Sequence, residues 1–265
     1  MKILTKNECV QYLLQHDNYC ILSHRRPDGD TIGSSAALCL GLRQLGKKAH
    51  VLLNPEISSR FAWLHEGLTK EAAQEGDTIV SVDVASPGML PKSFEHLLGK
   101  IHLRIDHHAS ATSFTDCELV EGGSASCAEL VWDVLRDAGV TMDQEISEAV
   151  YVGVSTDTGC FRYSNTTDHT FATAAACAKA GARRLAGAPT PAADLGCLRA
   201  AREPLRIRIR LPGNQTTAGV GVSLGCVFGD KYFSVRNACD LKGRRCIVEP
   251  AHHIKVVAGF CKDKG

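Results

Sequence analysis

The chain has 265 residues, 44% hydrophobic and 22% charged, so it is long enough to bury a real core as one large or two modest domains. Its formal net charge of +1 hides a division: residues 1–182 hold 15 Lys or Arg against 23 Asp or Glu, whereas residues 183–265 hold 15 against 6. No stretch approaches the roughly 18 apolar residues of a membrane span and the start at Met1 has no apolar signal core, so no membrane partner and a cytoplasmic location are expected.

In chain order, residues 7–16 read as a leading helix, and the apolar run 19–23 as a strand that delivers His24. Ile32, Ala36, Leu38, Leu42 and Leu45 recur near helical spacing over residues 32–45, and Gly46 ends that helix. Residues 49–53 form the next strand, stopped by Asn54-Pro55, and residues 78–82 and 101–105 are two more. Helices follow at 124–138, with Ser124 as its cap and Gly139 past its end, at 145–154 running into Asp157, and at 168–180, whose small residues indicate close packing. Strands alternating with helices predict an α/β fold with a mainly parallel sheet flanked by helices. The 12 cysteines are dispersed, with no Cys-x-x-Cys pair, and read as reduced buried thiols. His50, His65, His96 and His102 read as ordinary surface or packing residues, and His252-His253 as a pair in unfamiliar sequence.

Four short segments carry acidic or imidazole side chains: His24-Arg25-Arg26-Pro27-Asp28-Gly29-Asp30, Asp83, Asp106-His107-His108, and Thr156-Asp157-Thr158-Gly159. Taken singly, each has an ordinary explanation. Pro27 to Asp30 is a good turn, Asp83 a cap, the Asp-His-His triplet a polar loop, and Thr156 to Gly159 the close of a helix. Jointly, three of the four follow β-type runs, where an open α/β sheet collects its ligands, and the set describes a two-metal hydrolase. Carboxylates mixed with imidazole, and no cysteine, suit Mn²⁺ better than a tetrahedral thiolate zinc site, with Mg²⁺, Co²⁺ or Fe²⁺ as substitutes. Gathering Asp28, Asp30, Asp83 and Asp157 without cations costs about 4 kcal/mol per close carboxylate pair at an effective dielectric near 20. Gly33 and Ser34 read as opening a helix just after Asp30, either as plain N-terminal helix residues or with free N–H groups that face a phosphate.

The order His-x-x-Pro-Asp-Gly-Asp-x-x-Gly-Ser, a lone Asp, Asp-His-His and Thr-Asp-Thr-Gly resembles the DHH phosphoesterase superfamily. The fuller form Pro-Asp-Gly-Asp-Thr-Ile-Gly-Ser, with Phe161 to Thr167 after the last motif, is most similar to its oligoribonuclease and 3′-phosphoadenosine-5′-phosphate phosphatase branch. The likeness spans roughly residues 1–182. It implies that His24 and Asp28 hold one ion, that Asp30, His107 and Asp157 hold the other, and that Asp83 bridges them. It further implies that His108 lies near the scissile phosphate, stabilising charge or protonating the leaving oxygen. Asp106 reads as a residue that orients an imidazole.

Residues 183–265 depart from the family. Its second, smaller domain carries a Gly-Gly-Gly-His segment that this chain lacks, and a shifted reading frame near residue 182 would explain the abrupt change. Residues 183–215, with four prolines and scattered arginines, read as a linker or disordered stretch, and residues 218–260 hold short apolar runs that make a few strands. Arg202, Arg206, Arg208 and Arg210 read as a solvated surface or as a cluster that attracts nucleic acid. Two domains are therefore expected, a catalytic one over 1–182 and an atypical, small or partly disordered segment over 183–265. The expected function is manganese-dependent hydrolysis of short oligonucleotides or small nucleotides, with a homodimer left open. An inorganic pyrophosphatase or polyphosphatase and a non-catalytic nucleotide-binding remnant are the alternatives.

Overall fold

The computed structural model describes residues 1–182 and, beyond them, the backbone of two strands, Leu205–Arg208 and Gly219–Val222. The chain divides into two units, Met1–Pro189 and Thr190–Gly265. Within the first unit the strands are β1 (Lys2–Ile3), β2 (Tyr19–Leu22), β3 (Ala49–Leu52), β4 (Thr69–Lys70), β5 (Thr78–Val82), β6 (Leu103–Asp106) and β7 (Cys117–Val120). The helices are α1 (Lys6–Gln15), α2 (Gly29–Gln44), α3 (Cys127–Asp137), α4 (Gln144–Asp157) and α5 (Asp168–Lys179).

All seven strands pair in parallel, in the order β1-β7-β6-β5-β2-β3-β4. The chain builds outward from β2 through β3 to β4, then returns to lay β5 on the other side of β2. The strand order therefore reverses between β2 and β5, and an open parallel sheet leaves a crevice at the carboxyl ends of its strands at such a point. β2, β3 and β6 are buried at every position, and so is β5 from Ile79 onward. Burial on both faces is why they read in the sequence as continuous apolar runs rather than as alternation.

Alternate side chains enter two cores. Tyr19, Ile21, Val51, Val80 and Val82 pack with helices α1 to α4 in the larger, while Leu22, Leu52 and Ile79 pack with Val84, Leu90, Phe94, Leu97 and Ile101 in the smaller. The second face is covered by short 3-10 turns, Pro87–Met89 and Lys92–Leu97. Each fully buried Leu or Ile here contributes about 1.5–3 kcal/mol relative to exposure.

Helix starts follow their caps. Thr5 and Glu8 form a reciprocal capping box on α1, and Asp143 and Thr167 cap α4 and α5. The structure corrects two starts. α3 begins at Cys127 with Ser126, not Ser124, bonding the Glu129 N–H. α2 begins at Gly29, because the Asp28 carboxylate accepts the Asp30 and Thr31 N–H groups at 3.0 and 3.2 Å. The strands β1, β4 and β7 are additions to the expected set.

In the second unit, Leu205–Arg208 and Gly219–Val222 pair antiparallel. The first of these strands lies inside a stretch expected to be a linker or disordered. Expectations for the rest of 183–265, including the arginine cluster's side chains and His252-His253, lie outside the described residues. Among the described residues no helix is long and apolar enough to cross a membrane, and the seven described cysteines are unbridged.

Candidate metal centre

The carboxyl ends of β2, β5 and β6, the start of α2 and the end of α4 deliver the acidic and imidazole groups to one place. His24 lies two residues beyond β2 and Asp28 caps α2, with Asp30 in its first turn. Asp83 follows β5, His107 and His108 follow β6, and Asp157 is the last residue of α4. Thr31 ties this frame together: its hydroxyl accepts the His24 N–H at 3.4 Å and donates to the Val82 carbonyl at 3.2 Å. Asp83 holds a left-handed backbone conformation, with φ of +59°, while its N–H bonds the Ile105 carbonyl at 3.0 Å. Asp tolerates that conformation better than most residues, and strain of this kind gathers at functional sites.

Two groups of donors result, and they share Asp83. In the first, His24 Nε2 lies 3.7 Å from Asp28 Oδ1 and 3.4 Å from Asp83 Oδ2. In the second, His107 Nε2 lies 3.7 Å from Asp30 Oδ2 and 3.5 Å from Asp157 Oδ2, and 3.5 Å from the other Asp83 oxygen, Oδ1. His24, Asp28 and Asp83 have donor atoms within 4.8 Å of one another, as do Asp30, His107 and Asp157, and also Asp83, His107 and His108. The backbone fixes the imidazoles. His24 Nδ1 bonds the Arg25 carbonyl at 2.7 Å and His107 Nδ1 the Ser124 carbonyl at 3.2 Å. A carbonyl only accepts, so each Nδ1 carries the proton and each Nε2 is the nitrogen offered to the site.

Asp30 is anchored differently. Its two oxygens accept the Cys127 and Ala128 N–H groups at 2.7 and 2.9 Å, which caps α3 from a distance and aims the carboxylate at the positive end of that helix. Asp106 orients rather than reaches the cluster: its Oδ1 accepts His108 Nδ1 at 2.8 Å and the His107 N–H at 2.9 Å. Nδ1 of His108 is thereby committed to Asp106.

The electrostatics of the cluster are set by burial and by its own carboxylates. Burial alone lowers the His24 and His107 imidazoles, but the carboxylates at their Nε2 atoms outweigh it and raise each to about 10. Burial, reinforced by Asp83, pushes Asp30 well above the usual carboxylate range, and burial likewise raises Asp157. The hydrogen bond to Asp106 raises His108. Asp83 Oδ1 is buried without a hydrogen-bond partner. Oxygen and imidazole donors around an orphaned buried carboxylate oxygen fit a hard-to-intermediate divalent ion.

Several supporting residues were not singled out from the sequence. Arg104, 1% exposed, pairs with Glu118 at 2.8 Å and donates to the carbonyls of Val84, Ala85 and Thr112. Glu118 in turn accepts from Ser113, Phe114 and Thr115. Together they hold the segments on either side of the histidine pair, and only an arginine inside an apolar strand hinted at it. Asn54 ties Ser23 to the His24 carbonyl, and Asn165 joins the Ala125 carbonyl to that of Asp157.

Gly33 and Ser34 do not open α2. They lie in its second turn, buried, with the Ser34 hydroxyl on Asp30 at 3.3 Å. A Cβ on Gly33 would meet the Ala149 carbonyl oxygen at 2.3 Å. Their amides lie beyond the first four of the helix and are spent on its own ladder, so the expected phosphate contact is replaced by close helix packing.

Residues 18–154 match the N-terminal domain of the DHH family. The chain is 35% identical over 161 residues to the bifunctional oligoribonuclease and PAP phosphatase NrnA of Thermus thermophilus, covering 58% of this chain and 48% of that one. The protein of the same name from Bacillus subtilis is 25% identical over 170 residues, covering 62% and 54%. The chain thus spans about half the length of these relatives. An exopolyphosphatase-related protein from Bacteroides fragilis shares the fold, with a TM-score of 0.55 at 21% identity over 68% of this chain and 57% of that one. With more than half its length matched by the family's domain and its strands, helices and motifs arranged as described, the chain belongs to the DHH family.

Proposed function

We propose that this protein is a metal-dependent phosphoesterase that hydrolyses short oligoribonucleotides or small nucleotides such as 3′-phosphoadenosine-5′-phosphate. The observation that carries the proposal is the two-sided Asp83, whose oxygens face different donor groups at 3.4 and 3.5 Å. On this reading His24 and Asp28 hold one divalent ion, Asp30, His107 and Asp157 hold a second, and Asp83 bridges them. Mn²⁺ is the preferred ion, Mg²⁺ or Co²⁺ its substitutes. Bound there, a pair of ions supplies charge neutralisation to the phosphoryl oxygens and acidity to an attacking water.

The chain's own residues do the rest. Asp30, locked on the first turn of α3, and Asp83, held by the Ile105 carbonyl, keep the donors in place without reorganisation. His108, steadied by Asp106, presents Nε2–H to the leaving oxygen, where it stabilises or protonates the developing charge. The names of the matched relatives support nucleotide substrates for this site, and residues 1–182 form the catalytic domain, with 183–265 an atypical basic segment. Turnover of a dinucleotide, 3′-phosphoadenosine-5′-phosphate and pyrophosphate in Mn²⁺, with a chelator control, tests the proposal. Release of mononucleotide or phosphate from the first two, abolished by chelation, is the expected result. Hydrolysis of pyrophosphate alone moves the protein to a pyrophosphatase, and turnover of none with metal still bound marks a non-catalytic binding protein.

A further inference from the structure

A different set of donors meets at the opposite, amino end of the same strands. Cys20 and His50 are register partners in the parallel pair of β2 and β3, so their side chains share a face of the sheet. Asp77 immediately precedes β5, whose Thr78 pairs with Tyr19 on the other side of β2. One donor atom from each of Cys20, His50 and Asp77 lies within 4.8 Å of the other two.

His50 was expected to be an ordinary surface or packing residue, yet its Nε2 is buried and has no hydrogen-bond partner. The nearest acid, Asp77 Oδ2, is 3.6 Å away, beyond hydrogen-bonding range. A buried polar atom left in this state weakens the fold unless something fills the gap. Tetrahedral bonds of about 2.0 Å to nitrogen or oxygen and about 2.3 Å to sulfur place ligand atoms roughly 3.3–3.7 Å apart. The His50–Asp77 separation of 3.6 Å is about 0.3 Å longer than the nitrogen–oxygen edge near 3.3 Å, a gap that a small inward shift of either side chain closes. We propose that Cys20, His50 and Asp77 form a second cation site that takes a zinc-like divalent ion, with solvent as its fourth ligand.

The chemistry separates this site from the candidate centre at the carboxyl ends. A thiolate with an imidazole and one carboxylate selects a borderline ion such as Zn²⁺, whereas the oxygen-rich set suits Mn²⁺. A cavity of about 300 Å³ opens on His50 and Asp77 and leaves room for the solvent ligand. Arg43, Lys47, Lys48 and Lys70 also line this cavity; bonds to the Ala49, Gly67 and Leu14 carbonyls and to the Gln74 side chain hold three of them in place without cancelling their charge, so the thiolate and the Asp77 carboxylate must supply the neutralising charge. Burial pushes the Cys20 thiol up to about 12, with Lys70 opposing. The ion-free site is therefore a neutral thiol, and ion binding releases its proton.

Cobalt reports the site directly, because thiolate ligation gives Co²⁺ a near-ultraviolet charge-transfer band that oxygen and nitrogen ligands do not. Titration of the full chain in excess Mn²⁺, which keeps the carboxyl-end centre filled, should produce this band, saturating at one thiolate-bound cobalt per chain and displaced by Zn²⁺. Cys20→Ser should abolish the band, His50→Gln should weaken cobalt binding at least about tenfold by loss of one of three ligands, and Asp83→Asn should leave the band intact. Absence of the band in the unaltered protein overturns the proposal, as does its survival in Cys20→Ser or its loss in Asp83→Asn. Should Cys20→Ser fail to fold, unchanged affinity in His50→Gln overturns it equally.

Discussion

Gly33→Ala should separate α2 from α4 and weaken one half of the proposed metal centre. A Cβ at this position would lie 2.3 Å from the Ala149 carbonyl oxygen and 3.0 Å from the Gly153 nitrogen, both backbone atoms that no rotamer change can move. Reaching ordinary contact requires the helices to part by about 1 Å, and overpacking of this kind costs about 1–3 kcal/mol. Alanine's better helix propensity returns about 1 kcal/mol. Because the clash is with rigid backbone, the upper end of the overpacking range applies, for a net loss of about 2 kcal/mol. α2 is seated on the sheet, whereas α4 packs on α2, α3 and α5, so α4 is the helix that shifts. Asp157, its last residue, then moves away from His107, while His24, Asp28 and Asp83 stay in place. Thermal unfolding measures the first effect. Calorimetric Mn²⁺ titration measures the second, where one ion should bind about tenfold more weakly, equal to about 1.4 kcal/mol. A variant as stable as the parent, or one that weakens both ions equally, would refute this account of the interface.

Asp83→Asn should weaken both ions by at least about 100-fold and remove most activity, since one carboxylate faces both donor groups; unchanged affinity for two ions would show that Asp83 does not bridge. His107→Ala should lose the second ion, whereas His108→Ala should keep both and lower turnover about 100-fold; an equal fall in metal content by elemental analysis would contradict that division. Arg104→Met leaves Glu118 buried and unpaired and should cost about 3–5 kcal/mol in denaturant unfolding, with Glu118→Leu in the same chain restoring part of the loss. His24 and His107, each raised to about 10, are protonated at pH 7 in the ion-free protein, so metal binding should release protons and tighten as pH rises from 7 towards 10. Calorimetry in two buffers of different ionisation enthalpy counts them, and no net release would falsify the electrostatic account.

The sequence alone determined the α/β class and most of the strands and helices that frame the site, because burial leaves local marks. β2, β3 and β5 are sandwiched between two cores and so appear as unbroken apolar runs, and the side chains after each run fall at the strand's carboxyl end. Helix α5 was legible through its small residues and the Gly181 that stops it, and α1 as a leading helix over 7–16, whose Thr5 cap only the structure revealed. The two-residue strands β1 and β4 left no such mark, since Lys2–Ile3 and Thr69–Lys70 are strands only by virtue of their neighbours. Nor did the start of α2, where Asp28 had to be seen bonding two amides before Gly33 could be moved from the helix end into its interior. That the two oxygens of Asp83 face different imidazoles, that Arg104 ties the loops around the histidine pair, and that Cys20 meets His50 were decided by tertiary structure. Each depends on parallel register between strands far apart in the chain, and register is set by how whole faces pack, which no local run of residues encodes.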